Sequence, residues 1–469
     1  MRNNSLSAIL LAGVAACAVT PDATHQTQPI SFDVHAIPAS EGVAGGVNVV
    51  RPGGNAPTAI HFAQAQSSPN LAFRVEEPDL VAAGHLAGAP ASTSGLCYGD
   101  GDGDGLLDEL EANQHGEASI LRPGDGSSEL SLPGGDNYHC SWADTDGDGL
   151  QEAYLFDVQG NARVIAFGAD GFAVVEDHGR FPWTRETWSS GGGSFADVDR
   201  DGDPDLLITS PAGADRLYLN TAGVFTRSTA GCDLATDAGM SGGASFGDLD
   251  NDGDPDLFVA RLDGPDRLYR NDDGCFLRVG NEALAERAFQ SWSAVWTDMD
   301  RDGDLDLIVS QYDGPIQIYE NRNAQLIAGP VYPGFGEDHA ESRASGLAAL
   351  DIDFDGDEDI IAAMWDGLPN AVLTNTTDTN LPGVKVLAIT EAGAPLFGAQ
   401  LHAGAEGRYF YRELEGTTGL RSQSAPSILL HSGLDQPLDW LEVRYHGEVL
   451  TRIENVSLPS IVVAEYPPD

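Results

Sequence analysis

Basic side chains are what this chain has least of. Only 24 Lys and Arg stand against 73 Asp and Glu in 469 residues, giving a formal net charge of −49, and Lys385 is the single lysine. A surface so acidic repels phosphate backbones, which excludes nucleic acid as a partner and disfavours bare anionic lipid. Long apolar runs are missing too, since nothing beyond the N-terminus approaches the ~20 residues of a membrane-spanning helix. The 11 histidines form no HExxH or other metal-ligand spacing, so the softer metals lack a site. What is abundant is turn-forming: 56 glycines and 26 prolines, beside a hydrophobic fraction of 41% that suffices for a large core. The composition points to a turn-rich all-β protein whose natural partners are multivalent cations.

The start of the chain reads as an address. Met1–Ala16 resembles a secretory signal, with Arg2 as a minimal basic region and an apolar stretch, Leu6–Val14, too short to span a bilayer. Val14-Ala15-Ala16-Cys17 resembles the bacterial lipoprotein box. That resemblance implies that Cys17 becomes a lipid-bearing N-terminus on an outer membrane or cell surface; ordinary cleavage near Ala16 with release into the medium is the alternative. Residues 17–30 then form a small, polar, proline-containing tether. Of the four remaining cysteines, an even count in an exported chain favours disulfides. Three pairings are possible, and the repeat spacing favours Cys97–Cys140 and Cys232–Cys275, each joining neighbouring repeats.

Six acidic nonapeptides recur at intervals of 44, 53, 51, 50 and 53 residues. They place Asp100, Asp102, Asp104 and Asp108 in DGDGDGLLD, and Asp144, Asp146, Asp148 and Glu152 in DTDGDGLQE. DVDRDGDPD carries Asp197, Asp199, Asp201, Asp203 and Asp205; DLDNDGDPD carries Asp248, Asp250, Asp252, Asp254 and Asp256. DMDRDGDLD carries Asp298, Asp300, Asp302, Asp304 and Asp306; DIDFDGDED carries Asp351, Asp353, Asp355, Asp357 and Asp359. Carboxylates at positions 1, 3, 5 and 9 with glycine at 6 can curl round one hard cation, with the position-7 carbonyl as a further oxygen. Calcium, which takes six to eight oxygens at ~2.3–2.6 Å in irregular geometry, suits such a loop better than magnesium. An EF-hand would need Glu at position 12 before a helix. Only the first loop has it, Glu111, and the other loops lead into strand-like runs such as DLLITS, DLFVAR, DLIVSQ and DIIAAM.

Each loop has similar flanks. An aromatic stands two residues ahead in five cases (Tyr98, Trp142, Phe195, Phe246 and Trp296) and Ala349 in the sixth, best explained as packing between repeats. Downstream come RLYLN, RLYRN, IYEN and VLTN, then a turn and another strand. One unit is thus three or four short antiparallel strands over about fifty residues, and radial repetition of four-stranded blades makes a β-propeller. Counting a degenerate unit at AIHFAQ and LAFRVEE gives seven blades, with six as the alternative.

The loops resemble the FG-GAP or VCBS-type repeat over roughly residues 40–378, with the propeller assigned to 31–380. Residues 381–469 alternate as strands and resemble the ASPIC/UnbV domain at Arg412-Glu413, Gly416–Gly419, Ser422-Gln423, Leu430-His431 and Gly433-Leu434, departing from it at Ser432 and Tyr445. A propeller followed by this domain is similar to the cartilage acidic protein family, which implies an extracellular calcium-binding protein with no established catalytic role. About six calcium ions are expected, as staples between strands, together with a protein or polysaccharide ligand on a propeller face.

Catalytic signals are weak. Gly239-Met240-Ser241-Gly242-Gly243 fits the G-x-S-x-G pattern, yet the same pre-strand position reads SGGGSF at 190–195, so it is a repeated turn. His431 and Arg412-Glu413 are expected to be structural, and His139 to shape the second loop. The rival reading is a polysaccharide-acting enzyme gathering His178, Arg185, Trp188 and His339 in the funnel. A purely structural surface protein is the third.

Overall fold

The computed structural model describes residues 30–37, 44–50, 58–64, 70–76, 79–85, 93–157, 162–175, 192–210, 212–228, 232–285, 289–332, 343–365, 368–379 and 381–466. Cys17, the signal and tether, His178, Arg185, Trp188 and His339 lie outside them.

Among the described residues eight sheets are four-stranded and antiparallel, and seven of them dominate the fold. Their first strands are Ala44–Val50, Thr93–Gly99, Asn137–Ala143, Gly192–Ala196, Ser241–Gly247, Ser291–Thr297 and Ala344–Leu350, and they neighbour one another in a closed cycle. Each of the six later sheets puts its acidic nonapeptide between first and second strand, so every loop lies at the same end of the ring. The first sheet, Ala44–Val50 through Asp79–His85, includes AIHFAQ and LAFRVE as strands. The seventh draws its outermost strand, Phe32–Ala36, from the start of the chain, paired antiparallel with Ala371–Asn375. The architecture is that of a propeller.

First strands are rich in Gly, Ala and Ser because they crowd the axis. Larger apolar residues follow on the second and third strands and fill the wedges between sheets. Between the fifth and sixth, for example, Phe258 and Leu268 pack with Trp296, Leu307 and Tyr319. The aromatics ahead of the loops belong to these wedges: Trp296 donates its indole N–H to Ser245 O of the preceding sheet at 3.2 Å. Trp142 is fully buried.

Cys97–Cys140 and Cys232–Cys275 are both disulfide-bonded. The first ties the innermost strands of two adjacent sheets. The second joins Cys232, on the connection between the fourth and fifth sheets, to Cys275 in the last hairpin of the fifth. Two disulfides are the mark of an exported protein.

The C-terminal strands form two further sheets. Gly383–Thr390 pairs antiparallel with Ile428–His431 and parallel with Ser460–Tyr466. Gln400–Ala405 lies between Arg408–Glu413 and Leu438–Tyr445, and Glu448–Val456 completes that sheet. Val384, Leu401, Phe410 and Leu441 share one hydrophobic cluster with Leu110, Trp142 and Leu155 of the ring.

Between those sheets, residues 416–425 enter the axis of the ring and touch all seven first strands. Gln423 exchanges backbone hydrogen bonds with Val47 and Val49, and its side chain donates to Tyr98 O at 3.0 Å while accepting from Tyr98 N–H at 3.2 Å. Arg421 N–H donates to His139 Nδ1 at 3.1 Å, and Thr417 meets Ser141. Leu420 N–H donates to Ser293 Oγ and its side chain abuts Gly192 and Gly243, where a Cβ would collide. Ala425 and Ser424 bond Ala349. The segment is a plug. Gly419, at φ +57° against Ser293 and Ala294, is its tightest point.

Candidate metal centres

Within each loop, backbone geometry is set by the carboxylates themselves. The position-1 carboxylate accepts the N–H of the position-6 glycine: Asp100 from Gly105 at 3.1 Å, Asp144 from Gly149 at 3.0 Å, Asp197 from Gly202 at 3.0 Å, Asp248 from Gly253 at 3.1 Å and Asp298 from Gly303 at 3.0 Å. The position-5 carboxylate caps position 7, as Asp104, Asp148, Asp201, Asp252, Asp302 and Asp355 do for Leu106, Leu150, Asp203, Asp254, Asp304 and Asp357. Position 4 is left-handed in all six: Gly103, Gly147, Arg200, Asn251, Arg301 and Phe354.

These turns bring carboxylates together. One oxygen each from Asp100, Asp102 and Asp108 falls within 4.8 Å of the others, as it does for Asp144, Asp146 and Glu152, for Asp197, Asp199 and Asp205, for Asp248, Asp250 and Asp256, and for Asp298, Asp300 and Asp302. Burial pushes Asp100 and Asp197 up to about 6, Asp108, Asp248 and Asp359 to about 7, and Glu152, Asp256 and Asp300 to about 8. Neighbouring carboxylates add to the effect. Buried oxygens lack any hydrogen-bond partner at Asp197, Asp250, Asp298, Asp351 and Asp353. Such orphaned anionic oxygens, pointing into a turn with no soft donor, fit a hard divalent cation.

Position 9 has a second duty that the spacing alone did not show. Its Oδ2 accepts the N–H of position 2, as Asp205 does from Val198, Asp256 from Leu249, Asp306 from Met299 and Asp359 from Ile352. Its Oδ1 accepts the N–H of an asparagine ending the third strand: Asn220, Asn271, Asn321 and Asn375, at 2.7–2.8 Å. Each asparagine side chain then donates to the position-2 carbonyl of the preceding loop: Asn220 to Thr145, Asn271 to Val198, Asn321 to Leu249 and Asn375 to Met299. The loops are chained round the ring. The signal was the final N of RLYLN, RLYRN, IYEN and VLTN.

Position-7 aspartates serve a parallel chain instead of clustering with 1, 3 and 9. Asp254 takes Arg200 at 2.6 Å, Asp304 takes Asn251 at 2.8 Å and Asp357 takes Arg301 at 2.8 Å, each from position 4 of the previous loop. Asp203 accepts from Ala222 N–H at 2.7 Å. Glu111 lies on a strand, not a helix, and bonds Asn70 and Arg122.

The C-terminal sheets sit on the loops. Tyr445 OH donates to Asp144, Gln400 to Asp197, Arg408 to Asp304, Arg412 to Gly303 O, and His431 Nε2 lies 3.0 Å from Gly356 O. Arg412 and Glu413 are thus held in structure, Glu413 accepting from Tyr411 OH at 2.7 Å. His139 does not shape the second loop; it lies on a first strand and receives the plug. Ser241 likewise begins a strand and donates to Asp215 at 2.9 Å, with no helix behind it.

Residues 197–259, 248–309 and 298–362 match the FG-GAP-like repeat, three overlapping windows that each run from one acidic loop through the next. The chain carries FG-GAP-like repeats in a β-propeller. The acidic groups are consistent with the calcium sites of such repeats. No curated protein matches. Solved structures with similar chain course include a catalytically inactive virginiamycin B lyase from Staphylococcus aureus with quinupristin, 15% identical over 74% of this chain and 99% of that one at a TM-score of 0.47. Sqt1 of Saccharomyces cerevisiae is 10% identical over 75% and 100%, also at 0.47.

Proposed function

We propose that this protein is a calcium-stiffened, seven-bladed binding module of the cell exterior, tethered through lipid on Cys17, whose ASPIC/UnbV-like domain over 381–469 clamps the loop end of the propeller. The supporting observation is the plug. Residues 416–425 fill the axis and the C-terminal sheets cover the acidic loops, so among the described residues the face of the ring left uncovered is the opposite one. There the first strands begin, and Met240 and Phe289 are 43% and 39% exposed. A protein or polysaccharide ligand engages that face.

Calcium in this reading is structural. Six loops would each take one ion through positions 1, 3, 5 and 9, stapling first to second strand and supplying folding energy, because the unfolded chain offers no formed site. The decisive experiment is an array of glycans and extracellular proteins probed with wild type and with a Met240→Asp, Phe289→Asp variant. Loss of the array signal in the variant, with an unchanged melt, supports the free face. A variant that binds as well as wild type places the ligand elsewhere.

A further inference from the structure

The C-terminal sheet presents a second surface that calcium and the plug leave unused. One face of its four strands packs into the core through Leu401, Ala403, Phe410, Leu441 and Val443. The other face bounds a cleft of about 260 Å³ against the 197–205 loop. Its floor is aromatic: Tyr411, His402, Tyr409 and Trp440 run across it with successive ring centroids 5.3, 6.1 and 6.1 Å apart. Trp440 lies half-buried across Gly404, where a Cβ would strike the indole. Successive rings are inclined to one another by 65°, 48° and 43°, so the floor is ridged, and the indole keeps its place in it because position 404 has no Cβ.

Three arginines stand on the rim of a chain that has few, each already paired with at least one carboxylate: Arg200 with Asp254, Arg444 with Glu442 and Arg452 with Glu442 and Glu454. Arg200, Arg444 and Arg452 line the cleft, three of only 24 basic residues, with Asp197 and Glu442 as the opposing charges. Arg444 and Arg452 both pair with Glu442, and their side chains are 42% and 50% exposed. Those pairs and the Arg452–Glu454 contact use Nε and Nη2 of Arg444 and Nε and Nη1 of Arg452. A guanidinium carries five N–H donors, so Nη1 of Arg444 and Nη2 of Arg452 keep theirs. His402 Nε2 is buried in the same floor without a hydrogen-bond partner.

We propose that this cleft binds an acidic sugar, a hydroxylated ring bearing a carboxylate, as one unit of an anionic polysaccharide. Arg452 itself stands 5.2 Å from the centroid of the Trp440 ring. The aromatic floor beside it meets the sugar ring's C–H face, the orphan imidazole nitrogen and Gln400 meet hydroxyls, and the unused guanidinium donors take the carboxylate through charge-assisted bonds. The volume admits one ring with its substituents and falls just short of the roughly 300 Å³ at which ligand pockets usually start. A ring of neutral sugar would leave the guanidinium donors unanswered, so charge sets the selectivity. The site stands apart from the free propeller face and does not depend on it.

Calorimetry on the full chain at constant calcium, with a tetragalacturonate and a neutral tetragalactose as probes, tests this. The acidic probe should bind at least about tenfold more tightly than the neutral one, the worth of one charge-assisted bond. Arg452→Met, on an exposed position, should cost about tenfold. Trp440→Ala should cost as much, with the melt unchanged. Equal affinity for both probes, no binding of either, indifference to Arg452→Met, or tighter binding of a poly-glutamate peptide than of the uronate would each overturn the assignment. Should Trp440→Ala fail to fold, the arginine variant decides alone.

Discussion

Replacing Asp256 by alanine separates the two duties of position 9. The side chain is fully buried and accepts Leu249 N–H at 2.9 Å and Asn271 N–H at 2.8 Å. Alanine leaves both donors unpaired, at about 1–3 kcal/mol each, so about 2–6 kcal/mol in all. With a cation bound, the carboxylate is ionised and the upper half of that range applies. In chelator its pKa, raised to about 8 by burial, leaves it largely protonated at pH 7, and the lower half applies. At roughly 2 °C per kcal/mol for a large domain, the melt should fall by about 4 °C or more even without calcium. Asp252, exposed and capping only Asp254 N–H, is the control. Asp252→Ala should weaken one calcium site, spare the other five and leave the chelated melt almost unchanged. Differential scanning calorimetry of both variants, with calcium and with EDTA, measures this. Equal melts for the two variants in EDTA would refute the latch and reduce position 9 to a metal ligand.

Chelation of the wild type should lower its melting temperature substantially and raise its protease sensitivity; an unchanged melt would remove structural calcium. Gln423→Ala strips both partners from the Tyr98 peptide, at about 1–3 kcal/mol per unpaired group, so proteolysis should cut the plug sooner. A cleavage rate equal to wild type would show that the side chain holds nothing. His139 is pushed down to about 4 by burial, and because Nδ1 accepts from Arg421, Nε2 carries the hydrogen that reaches Gly193 O. Its unfolded-state value, 6.5, lies higher, so the unfolded chain takes the proton first. This stability is complete above pH 6.5 and is lost as pH falls from 6.5 towards 4, by roughly 3 kcal/mol. His139→Gln should flatten denaturation midpoints across that window by one proton's worth, and an unaltered slope would contradict the burial argument.

The loops were legible because their chemistry is local. Nine consecutive residues fix the turn and the converging oxygens, and the interval between copies matches one four-stranded sheet. The left-handed position 4 was not legible, because Arg200, Arg301 and Phe354 occupy it as well as Gly103 and Asn251. Hydrogen bonds on either side of that residue override its intrinsic preference. The plug was invisible for a different reason: Gln423 meets Tyr98 across 325 residues and Arg421 meets His139 across 282, and no periodicity encodes such contacts. Arg412-Glu413 and Ser422-Gln423 stood out in the sequence only through the ASPIC/UnbV resemblance, and packing against the ring is what occupies them. The final strand of the seventh sheet was hidden too, since FDVHA carries no turn signal or repeat mark.

That last strand makes the ring a belt buckled with its own free end. Ser31 reaches Thr377 across 346 residues, and bringing such distant segments together costs about 5 kcal/mol of chain entropy. The buckle can fasten only after nearly the whole polypeptide has emerged, so no half of the ring has a finished form of its own. A chain cut back past Ala36 would leave Ala371–Asn375 as a bare edge, open to pairing with a second molecule.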